Sequence, residues 1–194
     1  QNTSFNFFAD KSDILIKDIK SKMNGLLIKE GNLRIDRNKE VTINSDFLTE
    51  IDINKKNINN YSSYLKNYKL INQDIVLKAN LNHSLNIVFD DTYKVIDYTY
   101  KSNGKILNAN FKLQESLKSS FLENNIDKLK TKDSDLDVRF SSDKKNYIKV
   151  LGLYKLNDLN YQSFDLKNSI LDKGLNVDLN FEFSKKIKID LINY

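Results

Sequence analysis

The last part of the sequence alternates apolar and polar residues over an unusually long run. The apolar positions are Leu175, Val177, Leu179, Phe181 and Phe183. The residues between them are all polar, namely Asn176, Asp178, Asn180 and Glu182. Because successive side chains of a β-strand point to opposite faces, this run predicts a strand with one apolar and one polar face.

One-sided runs of the same kind recur along most of the chain, for example at Leu136, Val138 and Phe140 and at Ile75 and Leu77. Short turn-prone segments separate them, which favours antiparallel neighbours. The sequence therefore predicts a mainly β fold. The expected form is a long antiparallel meander of roughly ten to thirteen strands, folded into a curved, one-sided amphipathic sheet that is an open groove or half-barrel.

Several turns are predicted from residues that tolerate a positive φ. Asn24-Gly25 and Asn103-Gly104 are typical two-residue hairpin turns. Asn82-His83-Ser84 and Asp90-Asp91-Thr92 are also predicted as turns between strands, because Asn, Asp and Ser favour such positions.

Two short helices are predicted where the period changes from two to that of a helical stripe. The first covers residues 57–70, with Ile58, Tyr61, Leu65 and Tyr68 on one side. The second covers residues 114–130. Its apolar positions are Leu117, Phe121, Leu122, Ile126 and Leu129.

The whole chain, residues 1–194, is expected to form a single unit that is a segment of a longer protein. Residue 1 is Gln rather than Met, and strand-like patterning continues to Tyr194. A trimmed but complete domain is the alternative reading of the same ends.

The residues that commonly carry chemistry are scarce in this sequence. It has no Cys, and His83 is its one His. The aspartates at 133, 135 and 137 resemble the start of a calcium loop, but Val138 and Lys144 occupy the positions that require Gly and Glu. We therefore expect no catalytic residues, no metal site, no cofactor and no enzymatic activity, with His83 a surface turn residue.

The charge pattern argues against a nucleic-acid partner. The chain has 31 Lys and Arg residues against 26 Asp and Glu, a formal net charge of +5. Arg is restricted to Arg34, Arg37 and Arg139, so the side chains that read bases in bidentate fashion are few.

Short units of alternating Leu or Ile with Asp or Asn, next to Gly-marked turns, carry a family resemblance. They include Asp13-Ile14-Leu15-Ile16, Asn24-Gly25-Leu26-Leu27-Ile28, Gly31-Asn32-Leu33-Arg34-Ile35-Asp36 and Asp158-Leu159-Asn160-Tyr161. In these units the chain resembles the AsmA-like group of bacterial envelope proteins. That group includes the large bridge-like members related to TamB and the proteins with a DUF3971 domain.

The resemblance implies a long sheet, open along one side, whose apolar inner face conducts lipid acyl chains across the Gram-negative periplasm. It implies a phospholipid or other lipid partner, a periplasmic location with an inner-membrane anchor in the full-length protein, a role in envelope integrity, and no catalytic residues. The expected lipid-contacting residues are Leu175, Val177, Leu179, Phe181, Phe183, Leu136, Val138, Phe140, Ile75 and Leu77.

Two other classes remain open from the sequence. A closed β-barrel or sandwich could serve as a structural or adhesive module, with the apolar face as its core and no extended apolar cleft. A carbohydrate-binding or carbohydrate-processing domain would instead show exposed aromatic residues beside clustered carboxylates.

Overall fold

The computed structural model describes residues 2–38, 40–61, 71–118, 125–171 and 174–183. They form one sheet of ten antiparallel strands that lie side by side in sequence order. The predicted meander is therefore confirmed. The first and last strands are the two edges of this sheet, which is not closed.

The strand bounds show how long the central elements are. The strands are β1 Asn2–Ala9, β2 Asp13–Met23, β3 Leu26–Asp36, β4 Val41–Ile53, β5 Ile71–Phe89, β6 Val95–Leu117, β7 Ile126–Ser141, β8 Asn146–Leu156, β9 Gln162–Leu171 and β10 Gly174–Phe181. The two longest, β5 and β6, have 19 and 23 residues and lie next to each other.

The prediction of two short helices is wrong. In the described ranges the helical structure is a single 3-10 turn, Ile58–Tyr61, and there is no α-helix. Residues 62–70 of the first predicted helix and residues 119–124 of the second lie outside the described residues. On either side of the second gap the chain is extended, and Leu117 of β6 pairs with Ile126 of β7. Pairing with a neighbouring strand has overridden a weak local helical period there.

One predicted hairpin turn is confirmed, and two other predicted turns lie inside strands. Asn24-Gly25 forms the predicted β2–β3 turn, with φ of 34° and 94°. Asn103-Gly104 was expected to be a second hairpin, but it lies inside β6. Asn82-His83-Ser84 was also expected to be a turn, but it lies inside β5, where Asn82 is the register partner of Asn103. Both segments are strand because they pair with each other.

The strand register places most of the apolar residues of the ten strands on one side of the sheet, which we call the apolar face. Its members include, from β1 to β10, Phe7, Ile16, Leu33, Ile43, Leu85, Tyr100, Leu136, Val150, Leu166 and Leu179. The opposite side is polar and carries ion pairs between strands, such as Lys78–Asp52 at 3.3 Å and Lys105–Asp135 at 3.1 Å.

Several side chains of the apolar face are buried. Ile75, Ala79, Leu81 and Ala109 are almost fully buried on that face, within a single sheet. Irregularities interrupt the register of β5 with β6 and of β7 with β8 near the middle of these strands. Bulges bend a strand and increase its twist, so the sheet is expected to bend at these points.

Candidate functional site

The register places nine of the ten residues predicted to contact lipid on the apolar face. Four lie on β10, three on β7 and two on β5. Phe183 follows the end of β10 and contacts the ring of Phe181, with centroids 6.5 Å apart. The structure thus brings together side chains from three separate parts of the sequence on one surface.

Exposure divides this face into a packed part and an open part. Ile75 on β5 is only 6% exposed, whereas Leu175 on β10 is 65% exposed. Val177, Leu179 and Phe181 are each at least half exposed as well. The apolar face is therefore well packed near its middle and open to solvent along the β10 edge.

A cavity of about 340 Å³ lies in the open part of the apolar face, across β7 to β10. It is lined by Leu129, Thr131, Tyr154, Leu156, Phe164, Leu166, Leu179 and Phe181. Two of these, Leu179 and Phe181, belong to the predicted lipid-contacting set. The other six were not singled out from the sequence.

Tyr154 forms the aromatic centre of the cavity. Its ring meets Phe164 and Phe181 edge to face, with centroid distances of 5.9 and 6.2 Å. Its hydroxyl group donates a hydrogen bond to the carbonyl oxygen of Glu182 at 2.8 Å. Burial raises the pKa of the Tyr154 phenol, so the ring stays uncharged in the cavity wall.

The apolar face carries no charged side chain at any of the register-paired positions that the structure describes. Its polar members at those positions are neutral at ordinary pH and include Ser45, Thr49, Ser102, Thr131 and Asn168. A molecule lying on this face is therefore bound by dispersion, by the hydrophobic effect and by neutral hydrogen bonds.

A polar group interrupts the apolar face near its middle, and we call it the His83 cluster. It consists of His83, Thr49, Tyr100 and Ser102. The two ring nitrogens of His83 lie 2.8 Å from the Thr49 hydroxyl oxygen and 2.9 Å from the Tyr100 hydroxyl oxygen. Ser102 is the register partner of His83 on β6 and is 3% exposed.

Aromatic stacking holds the cluster in the sheet. The rings of His83 and Tyr100 stack with centroids 6.1 Å apart, and Tyr100 stacks in turn on Phe140 at 6.5 Å. Burial lowers the pKa of His83, which favours the neutral imidazole. The expectation of a surface turn residue at position 83 is wrong, because the side chain is half-buried in the middle of β5.

The Thr49–His83 contact has the distance of a nucleophile and its base, but its surroundings favour hydrogen bonding instead. The Thr49 hydroxyl is buried and also lies 3.3 Å from the carbonyl oxygen of Leu81. The group on the far side of the imidazole is the phenol of Tyr100, where catalytic triads place a carboxylate.

The sequence did contain signals for the residues that were missed. Tyr154 and Leu156 alternate at the end of β8, and Phe164 and Leu166 do so in β9, in the same way as the residues that were chosen. Leu129 was assigned to a helix, which hid its place in β7. His83 was missed because its neighbours Asn82 and Ser84 are turn formers.

No protein-family model, no curated protein and no solved structure matches this chain. The resemblance to the AsmA-like group therefore stays a prediction. Among the described residues, no helix has the length and apolar character needed to cross a membrane.

Proposed function

We propose that this chain is a non-enzymatic, lipid-binding segment of a larger envelope protein, and that its apolar face binds and conducts lipid acyl chains. The observation that carries this proposal is the apolar face itself. It is uncharged at its described paired positions, it continues across ten strands, and it is open along β10.

The energetics favour an acyl chain as the occupant of the open part. Leu175, Val177, Leu179 and Phe181 leave large apolar areas in water, which is costly at about 25 cal/mol per Å². Each lipid methylene buried there would contribute about 0.8 kcal/mol. Because the attraction is non-directional, a bound chain keeps its affinity as it slides along the face.

The dimensions of the edge strand fit the same occupant. The eight residues of β10 span about 26 Å at ~3.3 Å per residue. The hydrocarbon core of a bilayer is ~30 Å thick, so one strand offers a wall of comparable length. The cavity beside Tyr154 provides a deeper place for one end of the chain.

The open sheet weighs against the closed-core alternative. A barrel or sandwich would cover the apolar face with its own strands, whereas the described strands form a single sheet with β1 and β10 as unpaired edges. The periplasmic location, the inner-membrane anchor and the bridge between two membranes rest on the resemblance to the AsmA-like group and are part of the proposal.

Lipid uptake by a matched pair of charge variants tests the proposal. The purified protein is incubated with vesicles of phosphatidylethanolamine and phosphatidylglycerol, separated from them, and examined by native mass spectrometry. Leu179→Asp adds a negative charge to the apolar face, while Asn176→Asp adds the same charge to the polar face of the same strand. Both sites are exposed, so both variants should fold.

The two variants should differ in lipid content alone. We expect bound phospholipid in the wild type and in Asn176→Asp, and a strong loss in Leu179→Asp, because a charge in an apolar contact is costly to desolvate. A well-folded wild type without bound lipid would defeat the proposal. Equal lipid content in the two variants would show that the lipid lies elsewhere.

A further inference from the structure

The His83 cluster has more hydrogen-bond donors than its own acceptors satisfy. If Nε2 of the neutral imidazole carries the proton, it donates to Thr49, and the Tyr100 hydroxyl donates to Nδ1. If Nδ1 carries the proton, it donates to Tyr100, and the hydrogen of the Tyr100 hydroxyl has no acceptor among the described residues. The second tautomer therefore leaves a phenolic donor available.

Ser102 is left without a partner in either tautomer. The residue is only 3% exposed, and its hydroxyl oxygen has no hydrogen-bond partner among the described residues. Ser102 sits opposite His83 in the register, so it belongs to the same polar group. A buried hydroxyl without a partner destabilises the free protein, and a ligand atom that accepts its hydrogen would remove that penalty.

The surroundings define what kind of acceptor fits. Along the row that contains His83 and Ser102, the next register partners are Val138 and Ile148, both apolar. The paired positions of this face that the structure describes carry no charge to neutralise a phosphate. An uncharged oxygen at the end of a hydrocarbon chain matches these conditions, and the carbonyl oxygen of an acyl group is such an atom.

We propose that the His83 cluster binds the acyl carbonyl group of the lipid, either in an ester or in a carboxylic acid in its protonated, uncharged form, through Tyr100 and Ser102. This inference rests on the proposed lipid-binding function and adds one defined binding position for the lipid carbonyl group. The hydrocarbon lies on the apolar face, and the carbonyl group stops at the cluster. A lipid that slides freely elsewhere would thus pause at one defined position.

Displacement of the uncharged fluorophore N-phenyl-naphthylamine tests the proposal with three competitors of similar size. Methyl dodecanoate carries an ester, dodecanoic acid carries a carboxyl group, and tridecane carries neither. The competitors are applied to the wild type, Tyr100→Phe, Ser102→Ala and Tyr98→Phe. Tyr98 is the matched control, because it lies two residues from Tyr100 on the same face of β6 and is exposed.

The ester and the alkane should respond differently to the variants. We expect Tyr100→Phe and Ser102→Ala each to weaken methyl dodecanoate binding about fivefold, as for the loss of one hydrogen bond, with tridecane unchanged. Tyr98→Phe should change neither. Ser102→Ala should also match or exceed the wild type in thermal stability, because the hydroxyl it removes is a buried group without a hydrogen-bond partner.

Each other outcome has a distinct meaning. If the wild type binds tridecane and the ester, and both variants bind the ester as tightly as the wild type, the carbonyl site is wrong and the lipid-binding function survives. If the wild type binds none of the three competitors, the proposed function fails together with the inference. If the variants lose affinity for both the ester and the acid, the carbonyl oxygen is the group that the cluster binds in each. If they lose affinity for only one of the two, that compound carries the group that the cluster binds.

Discussion

The ring of Tyr154 on β8 packs edge to face against Phe181 on β10, with centroids 6.2 Å apart, although β9 lies between the two strands. Strands two positions apart in a flat sheet are separated by about 9.6 Å. The contact therefore reaches over β9 through side chains that lean towards each other on one face. It closes one side of the cavity and ties the edge strand to the rest of the sheet.

Removing the Tyr154 hydroxyl should lower the stability of the protein without changing its lipid binding. Tyr154→Phe deletes the hydrogen bond to Glu182 and leaves the ring in the cavity wall. We expect the free energy of unfolding in urea to fall by about 1 kcal/mol, with unchanged phospholipid uptake from vesicles. Loss of uptake in a variant that is still folded would mean that the hydroxyl group itself contacts the lipid.

Gly104 should be intolerant of any side chain. It lies in the middle of β6 with φ of 151°, and a Cβ atom there would lie 2.1 Å from the carbonyl oxygen of Asn80. We expect Gly104→Ala to lower the free energy of unfolding well beyond the ~1–3 kcal/mol of backbone strain alone, because the obstacle is backbone that cannot move aside. Urea unfolding measures the loss.

Gly174 provides the matched control for that substitution. Its φ of 147° is similar, but a Cβ atom at Gly174 would meet no described atom within 4 Å. Gly174→Ala should therefore show the cost of the backbone conformation without the clash. Equal losses at the two positions would show that the close approach of β5 to β6 at Gly104 is absent in solution.

His83 should make the protein less stable in mild acid. Burial lowers its pKa from the ordinary value of 6.5, so the folded protein binds the proton less readily than the unfolded chain does. This contribution to stability is present above the unfolded pKa and is lost as the pH falls through the folded pKa. We expect the wild type to lose more stability than His83→Gln between about pH 7.5 and about pH 5.5.

Urea unfolding of both proteins at the two pH values gives the comparison. The carboxylates titrate in both and cancel in the difference. Identical pH dependence of the wild type and His83→Gln would show that His83 is solvated in the folded protein.

The one-sided pattern was readable from the sequence because a period of two is a property of the strand itself. Leu175 to Phe181 alternate without interruption, and the register places all four of their apolar members on the apolar face. The Asn24-Gly25 hairpin was predictable for a similar reason, since its positive φ values are a local requirement.

The errors fall where long-range pairing overrides a local signal. Asn103-Gly104 has the composition of a hairpin, but Gly104 is required because Asn80 of the neighbouring strand approaches its backbone. His83 looks like a turn residue between Asn82 and Ser84, and its stacking on Tyr100 involves a residue 17 positions away. No local pattern reports such a partner.

The cavity could not be predicted from local sequence patterns either. Its walls come from four strands, and Tyr154 on β8 contacts Phe181 on β10 across the intervening strand β9. Alternation predicts which side of each strand is apolar. It does not predict which strands approach closely enough to enclose a space, because curvature depends on bulges such as the one between Lys132 and Asp135.

Photo-crosslinking along β10 shows whether lipid lies on the apolar face. A benzophenone amino acid is placed in turn at positions 177, 178, 179 and 180, and each protein is irradiated with vesicles of phosphatidylethanolamine and phosphatidylglycerol. Val177 and Leu179 lie on the apolar face, while Asp178 and Asn180 lie on the polar face of the same exposed strand. We expect lipid adducts at 177 and 179 and none at 178 and 180. Adducts of equal yield at all four positions, or at none of them in a folded protein, would contradict this expectation.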